Sequence, residues 1–185
     1  MRWKAGKQIL LTITLLLLVS GVSAQHFSTE AKLKSAFIFN FSRLIDWPEW
    51  LFDKEKPVIN ICTLATDELN NILKNYQGRH SNDYAFNLVP LKSADNYQHC
   101  HLLYVDKEHP DANQYIKKIT NTFGILLVSN IPNFSQCQGD IEITASENGK
   151  LSLIVNQLNT RKSGLKISSR ILIRSKILQT TECPE

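Results

Sequence analysis

The residues best suited to chemistry gather in Gln98-His99-Cys100-His101-Leu102-Leu103-Tyr104. Imidazole nitrogen and thiolate sulfur are the donors that borderline and soft metal ions prefer. In extended backbone His99 and His101 share one face and Cys100 points to the other. A metal here would therefore fall to the two imidazoles, with Glu108 and His109 the next donors along the chain. Polar residues at the mouth of a strand need no metal, and this run continues straight into Leu-Leu-Tyr-Val. The strand-mouth reading is adopted, and no metal or other cofactor is expected.

The chain has four cysteines, Cys62, Cys100, Cys137 and Cys183. Four cysteines allow three connectivities, which sequence alone does not choose between. The absence of Cys-x-x-Cys argues against a thioredoxin-type catalyst. The strand-to-helix turns carry neither Gly-x-Gly-x-x-Gly nor a P-loop, and Gly-x-Ser-x-Gly is missing, so no nucleotide cradle or nucleophile elbow is visible. A Ser-His-Asp triad would have to be assembled from unmarked residues. The expected function is binding, not catalysis. Asn40-Phe-Ser42 and Asn133-Phe-Ser135 match the glycosylation sequon, a pattern too common to carry weight.

The start of the chain sets the compartment. Arg2, Lys4 and Lys7 precede the apolar run Ile-Leu-Leu-Thr-Ile-Thr-Leu-Leu-Leu-Leu-Val, and Val22 and Ala24 occupy small-residue cleavage positions. This reads as a secretory signal peptide over residues 1–24, too short and wrongly flanked for a spanning helix. Its removal leaves 18 basic against 17 acidic groups, so the formal charge falls from +4 to +1. Such a near-neutral chain has no electrostatic reason to bind nucleic acid or an anionic membrane. The remaining residues 25–185 make one domain, large enough for a real core. An even number of cysteines in an oxidising compartment favours disulfides.

Several elements must position these groups. Ser28 or Thr29 caps an amphipathic helix to about Asp46, with Glu30 and Lys34 spaced for an ion pair and Pro48 as the stop. Strands are predicted at 58–64, 85–91, 101–105 and 125–129. Between them fall a helix from an Asp67 cap to about Tyr76 and another from about Asp111 to Thr120. Asp-Ile-Glu-Ile-Thr-Ala and Leu-Ser-Leu-Ile-Val-Asn flank Asn148-Gly149 as a β-hairpin. Residues 157–178 read as helix with a break near Ser163-Gly164. The fold class is α/β: a single domain with a largely parallel sheet covered by helices on both faces, and the hairpin as an antiparallel C-terminal edge. In a doubly wound order 2-1-3-4 the strands of Cys62 and Cys100 are neighbours, which brings that pair within bridging distance. A bond between adjacent strands would be relatively reducible. Cys137 and Cys183 either pair with each other or leave Cys183 free.

Phe39-Asn-Phe-Ser-Arg-Leu-Ile-Asp-Trp-Pro-Glu-Trp50 carries the densest aromatic content. At 100° per residue, Leu33, Phe37, Phe41 and Leu44, with Ile45 beside them, form the stripe expected to face the sheet. Ile38 lies at the stripe's edge and Phe39 on the opposite, polar side. Ile38, Phe39, Trp47 and Trp50 are therefore the candidate partner or homodimer residues, with core packing the competing role for the two tryptophans. Arg170, in Ser-Ser-Arg-Ile-Leu, offers a guanidinium fork to a carboxylate of a ligand or partner, against a local cap at a helix end.

Leu33-Lys-Ser-Ala-Phe-Ile-Phe-Asn-Phe-Ser-Arg-Leu-Ile-Asp-Trp-Pro-Glu-Trp-Leu-Phe52, Ile-Asn-Ile-Cys-Thr-Leu, Cys-His-Leu-Leu-Tyr-Val, Gly-Ile-Leu-Leu-Val-Ser-Asn, Leu-Ser-Leu-Ile-Val-Asn and Ser-Gly-Leu-Lys-Ile-Ser-Ser-Arg-Ile-Leu follow one another as in the YfiR family. The resemblance spans roughly residues 31–178; the helix ending in Trp47-Pro48 and Gly-Leu-Lys-Ile-Ser-Ser-Arg-Ile-Leu are its most specific parts. It implies a periplasmic α/β protein that represses an inner-membrane diguanylate cyclase by binding its periplasmic portion. An outer-membrane lipoprotein sequesters the repressor, and the output is cyclic-di-GMP and biofilm formation. It also implies cysteines matching Cys62 and Cys100 and a loop cysteine near Cys137. This sequence departs in having no second cysteine just after Cys137, which makes Cys183 the substitute partner. A small-molecule-binding or redox-sensing domain, using a crevice at the strands' carboxyl ends, is the alternative function.

Overall fold

Ser28 caps α1 (Thr29–Leu44), its hydroxyl accepting from the Ala31 N–H at 3.2 Å. The computed structural model describes residues 27–119, 122–146, 150–180 and 182–183; the expected signal peptide and the Asn148-Gly149 turn lie outside them. The Glu30–Lys34 pair forms at 2.9 Å. The helix ends two residues before Asp46, because β1 (Ile45–Asp46) pairs antiparallel with β9 (Lys166–Ile167). Pro48 then opens a 3-10 turn at Glu49–Leu51.

The remaining elements are β2 (Val58–Leu64), α2 (Asp67–Leu73), β3 (His80–Ser81), β4 (Tyr84–Pro90), β5 (Leu102–Val105), α3 (Ala112–Lys118), β6 (Leu126–Ser129), α4 (Phe134–Cys137), β7 (Ile141–Ala145), β8 (Leu151–Asn156), α5 (Gln157–Lys162), α6 (Ser169–Leu172) and β10 (Ser175–Leu178). Thr66, not Asp67, caps α2. The main sheet runs β10-β8-β7-β6-β5-β2-β4-β3. Its β4-β2-β5-β6 part is parallel in the expected order, and Cys62 of β2 stands level with Leu103 of β5.

Two expectations for the C-terminal part are corrected. The hairpin β7–β8 exists but is not the edge of the sheet, since β10 adds outside it, parallel to β8. Residues 157–178 are not a broken helix but α5, β9, α6 and β10 in succession. An uncovered β8 edge would leave a row of backbone donors and acceptors unpaired, and this overrides the weak helical propensity of Ser-Lys-Ile-Leu. At the expected break, Gly164 has φ +73°, and a Cβ there would meet the Phe123 ring at 2.4 Å.

Alternation along the strands builds a core on each face. Ile59, Ile61, Leu102, Tyr104, Leu126 and Val128 pack beneath α1 and α2, against Ile38, Phe41, Leu69 and Leu73. Cys62, Leu64, Leu103, Val105 and Leu127 pack on the other face, with Tyr115 of α3 and Phe134 of α4.

The α1 stripe that faces the sheet is Ala31, Lys34, Ser35, Ile38, Phe41 and Ser42. It is rotated by roughly 100°, about one residue's turn, from the expected Leu33-Phe37-Phe41-Leu44 stripe. Three polar residues make the difference. Lys34 reaches Asp106 at 3.5 Å, the Ser42 and Ser81 hydroxyls meet at 2.6 Å, and Ser35 donates to the Lys32 carbonyl. Leu33 is left 40% exposed, while Phe37 and Leu44 are only half-buried.

Candidate interaction groove and cysteine–histidine cluster

A cavity of about 520 Å³ lies where α1 crosses β8 and α6. Phe37, Asn40, Phe41 and Leu44 come from α1, and Leu151 and Leu153 from β8. Arg170, Ile171 and Arg174 close it from the C-terminal side, and Lys150 also lines it. A smaller recess lined by Arg43 and Asn82 adjoins it and shares Asn40, Leu44 and Arg170. Among the described residues, neither lining contains a carboxylate. The result is an apolar floor beneath a cationic rim, which suits an apolar group carrying negative charge.

The crevice at the carboxyl ends of β2 and β5, where a doubly wound sheet ordinarily holds its ligand, is nearly filled. About 40 Å³ remains, and the Lys34–Asp106 pair stands in it. Asp106 also accepts from the Tyr104 hydroxyl, the Glu108 N–H and the Asn130 amide.

On the sheet face away from α1, Cys62 and Cys100 form a disulfide, with Cα atoms 5.7 Å apart. Cys137 and Cys183 form a second. The histidines are not paired as extended backbone would have them. Residues 98–99 make a turn, closed by Cys100 N–H donating to the Tyr97 carbonyl. His99 consequently joins the cysteines, its Nε2 lying 4.0 Å from Cys62 Sγ. His101 turns to the other face. Its Nδ1 accepts from the Asn60 N–H at 2.8 Å, its Nε2 reaches the Leu51 carbonyl at 3.3 Å, and Phe52 stacks on its ring. Burial lowers its pKa below the ordinary value, with the Leu51 bond opposing and His99 adding to the effect. Glu108 and His109 are not among the cysteine–histidine cluster.

The residues expected at a partner surface separate. Ile38 is fully buried and belongs to the core, which corrects its assignment to an interface: the rotated stripe points it at the sheet. Trp47 is buried too, its Nε1 donating to the Ser42 carbonyl at 3.1 Å. Phe39 is half-buried and not unpartnered, for it stacks on Tyr76 at 4.4 Å and tilts against Phe86. Trp50 is 64% exposed and stacks on Phe123, itself 60% exposed. Arg170 is exposed and lines the groove.

A family profile described as YfiR/HmsC-like matches residues 31–175. The chain belongs to the YfiR/HmsC-like family. No curated protein matches it. No helix among the described residues is long and apolar enough to cross a membrane. The groove is where the two segments most specific to the YfiR resemblance meet. The aromatic helix gives one wall, and Ser-Ser-Arg-Ile-Leu gives the other, tied together by β1–β9 and by Ser168 N–H donating to the Leu44 carbonyl. Arg43, Arg174, Phe37 and Leu44 were missed as candidates. The last two stood in the apolar stripe expected to face the sheet, and the rotation of the buried face turns them to the groove instead.

Proposed function

We propose that this YfiR/HmsC-like protein is an exported, periplasmic regulator that represses an inner-membrane diguanylate cyclase. It does so by binding the cyclase's periplasmic portion through the α1–β8–α6 groove. The observation that carries this reading is the convergence of the two family-specific segments on one apolar, cation-rimmed groove. The segment it accepts is acidic and apolar, so that Arg170, Arg174 and Lys150 meet carboxylates while Phe37 and Leu44 meet side chains. A repressor of this kind acts by binding one state of the cyclase more tightly than another, and repression cannot exceed that difference. An outer-membrane lipoprotein that binds the same groove would release the cyclase by competition.

The test joins binding to output. The mature protein should capture a membrane diguanylate cyclase from membrane extracts, and deletion of its gene should raise cyclic-di-GMP. The double change Arg170→Glu and Arg174→Glu should abolish capture and reproduce the deletion. Failure to recover a cyclase, with cyclic-di-GMP unchanged on deletion, would refute the reading.

A further inference from the structure

We propose that Cys62, Cys100 and His99 form a redox-gated metal site. Once a dithiol reductant opens the Cys62–Cys100 bond, the two sulfurs and the His99 imidazole take a Zn²⁺-type cation, leaving a fourth position for water or an external ligand.

The donor atoms of these three residues all lie within 4.8 Å of one another. In a tetrahedral site, metal–sulfur bonds of about 2.3 Å and metal–nitrogen bonds of about 2.1 Å set the sulfurs about 3.8 Å apart, and each about 3.6 Å from the nitrogen. The observed 4.0 Å from Cys62 Sγ to His99 Nε2 is a few tenths of an ångström from that geometry. Cys62 is held in the centre of a parallel sheet and Cys100 in the adjoining turn, so reduction separates the sulfurs without dispersing them. His99 is exposed and gives the ion a route inward, whereas Cys62 and Cys100 are 0% and 3% exposed.

The supporting shell is built. The Asn60 amide donates to the His99 carbonyl at 2.9 Å, the Asn87 amide donates to Asn60 at 2.9 Å, and Gln77 donates to Asn87 at 3.0 Å. This chain of amides fixes the turn that carries His99 through its backbone carbonyl.

The chemistry balances. The dithiol gives two electrons and two protons to the disulfide and itself becomes a disulfide. Metal binding then displaces the two thiol protons to solvent. Two thiolates, one neutral imidazole and one dication sum to zero charge, so the buried pair is held without burying net charge.

The measurement uses the mature protein reduced with a water-soluble phosphine, which is then removed. Thiols are counted, and Zn²⁺ is titrated in competition with a chromophoric chelator. In a background carrying Cys137→Ser and Cys183→Ser, one Zn²⁺ per chain should bind after reduction and none before. His99→Ala, at an exposed position, should keep the far-ultraviolet circular dichroism spectrum and weaken binding at least tenfold. Cobalt in place of zinc should give a thiolate-to-metal charge-transfer band that Cys62→Ser removes. Equal affinity in wild type and His99→Ala would overturn the proposal, as would binding by the oxidised protein. A native protein that yields no thiols at Cys62 and Cys100 would overturn it equally.

Discussion

At the residue scale, two buried titratable groups set opposing pH responses. Burial raises the Asp140 carboxyl from its ordinary 3.8 to about 7, against hydrogen bonds from the Leu127 N–H and the Ser163 and Thr160 hydroxyls. A raised folded pKa means that the folded state binds more protons than the unfolded state between those values. Asp140's contribution is therefore fully present below pH 3.8 and is lost as pH rises towards 7. His101 has the opposite sign. Its folded pKa lies below the ordinary 6.5, so its contribution is present above that pH and lost as pH falls. Asp140→Asn should remove the first response and leave a steeper loss of stability on acidification. His101→Gln should instead leave a protein that gains stability from pH 7 to pH 5. Denaturant midpoints across that range measure both, and parallel curves for all three proteins would contradict the assignments. The strand that follows His101 was legible in the sequence, but which histidine joins the cysteines was not. Alternation holds only in extended backbone, and the turn at residues 98–99 comes just before the strand.

At the scale of elements, α1 shows what a helical wheel misses. Apolar periodicity identified the helix and its ends to within two residues. It misplaced the buried face because Lys34, Ser35 and Ser42 are buried with polar partners, while Leu33, Phe37 and Leu44 are not fully covered. Ile38→Ala should cost about 2–5 kcal/mol, the range for a large-to-small change in a core. Leu33→Ala should stay within about 0.5 kcal/mol, as at an exposed site. Equilibrium urea unfolding separates them, and the reverse ranking would restore the wheel's stripe. The β4-β2-β5-β6 order was readable because alternating strands and helices leave few topologies. β10 was not, since a four-residue edge strand with a mixed face carries no periodic signal. Its pairing predicts that Ile177→Pro, which removes a donor and fits poorly within a strand, will reduce hydrogen-exchange protection in β8. Unchanged protection at Leu153–Asn156 would mean that β10 does not hold that edge.

For the whole molecule, the two readings of the aromatic helix come apart at Phe37 and Phe39. Both are half-buried, but Phe39 is enclosed by Tyr76 and Phe86, whereas Phe37 lies in the groove beside Phe41. Substituting aspartate at each asks whether a ring supports the fold or a partner. Phe39→Asp buries a charge among rings and should lower the denaturant midpoint sharply. Phe37→Asp places its charge at the open groove, beside Arg170 and Arg174, and should leave the midpoint close to wild type. On the proposed function it should nonetheless weaken capture of the cyclase's periplasmic portion by tenfold or more, because it would replace an apolar contact with repulsion of an acidic partner. The cationic rim adds a second signature. Association of the wild-type protein should slow as ionic strength rises, and the combined Arg170→Glu and Arg174→Glu protein should lose that dependence. A Phe39→Asp protein that folds normally but no longer binds would move the partner surface to the Tyr76 side of α1 and leave the groove without this role.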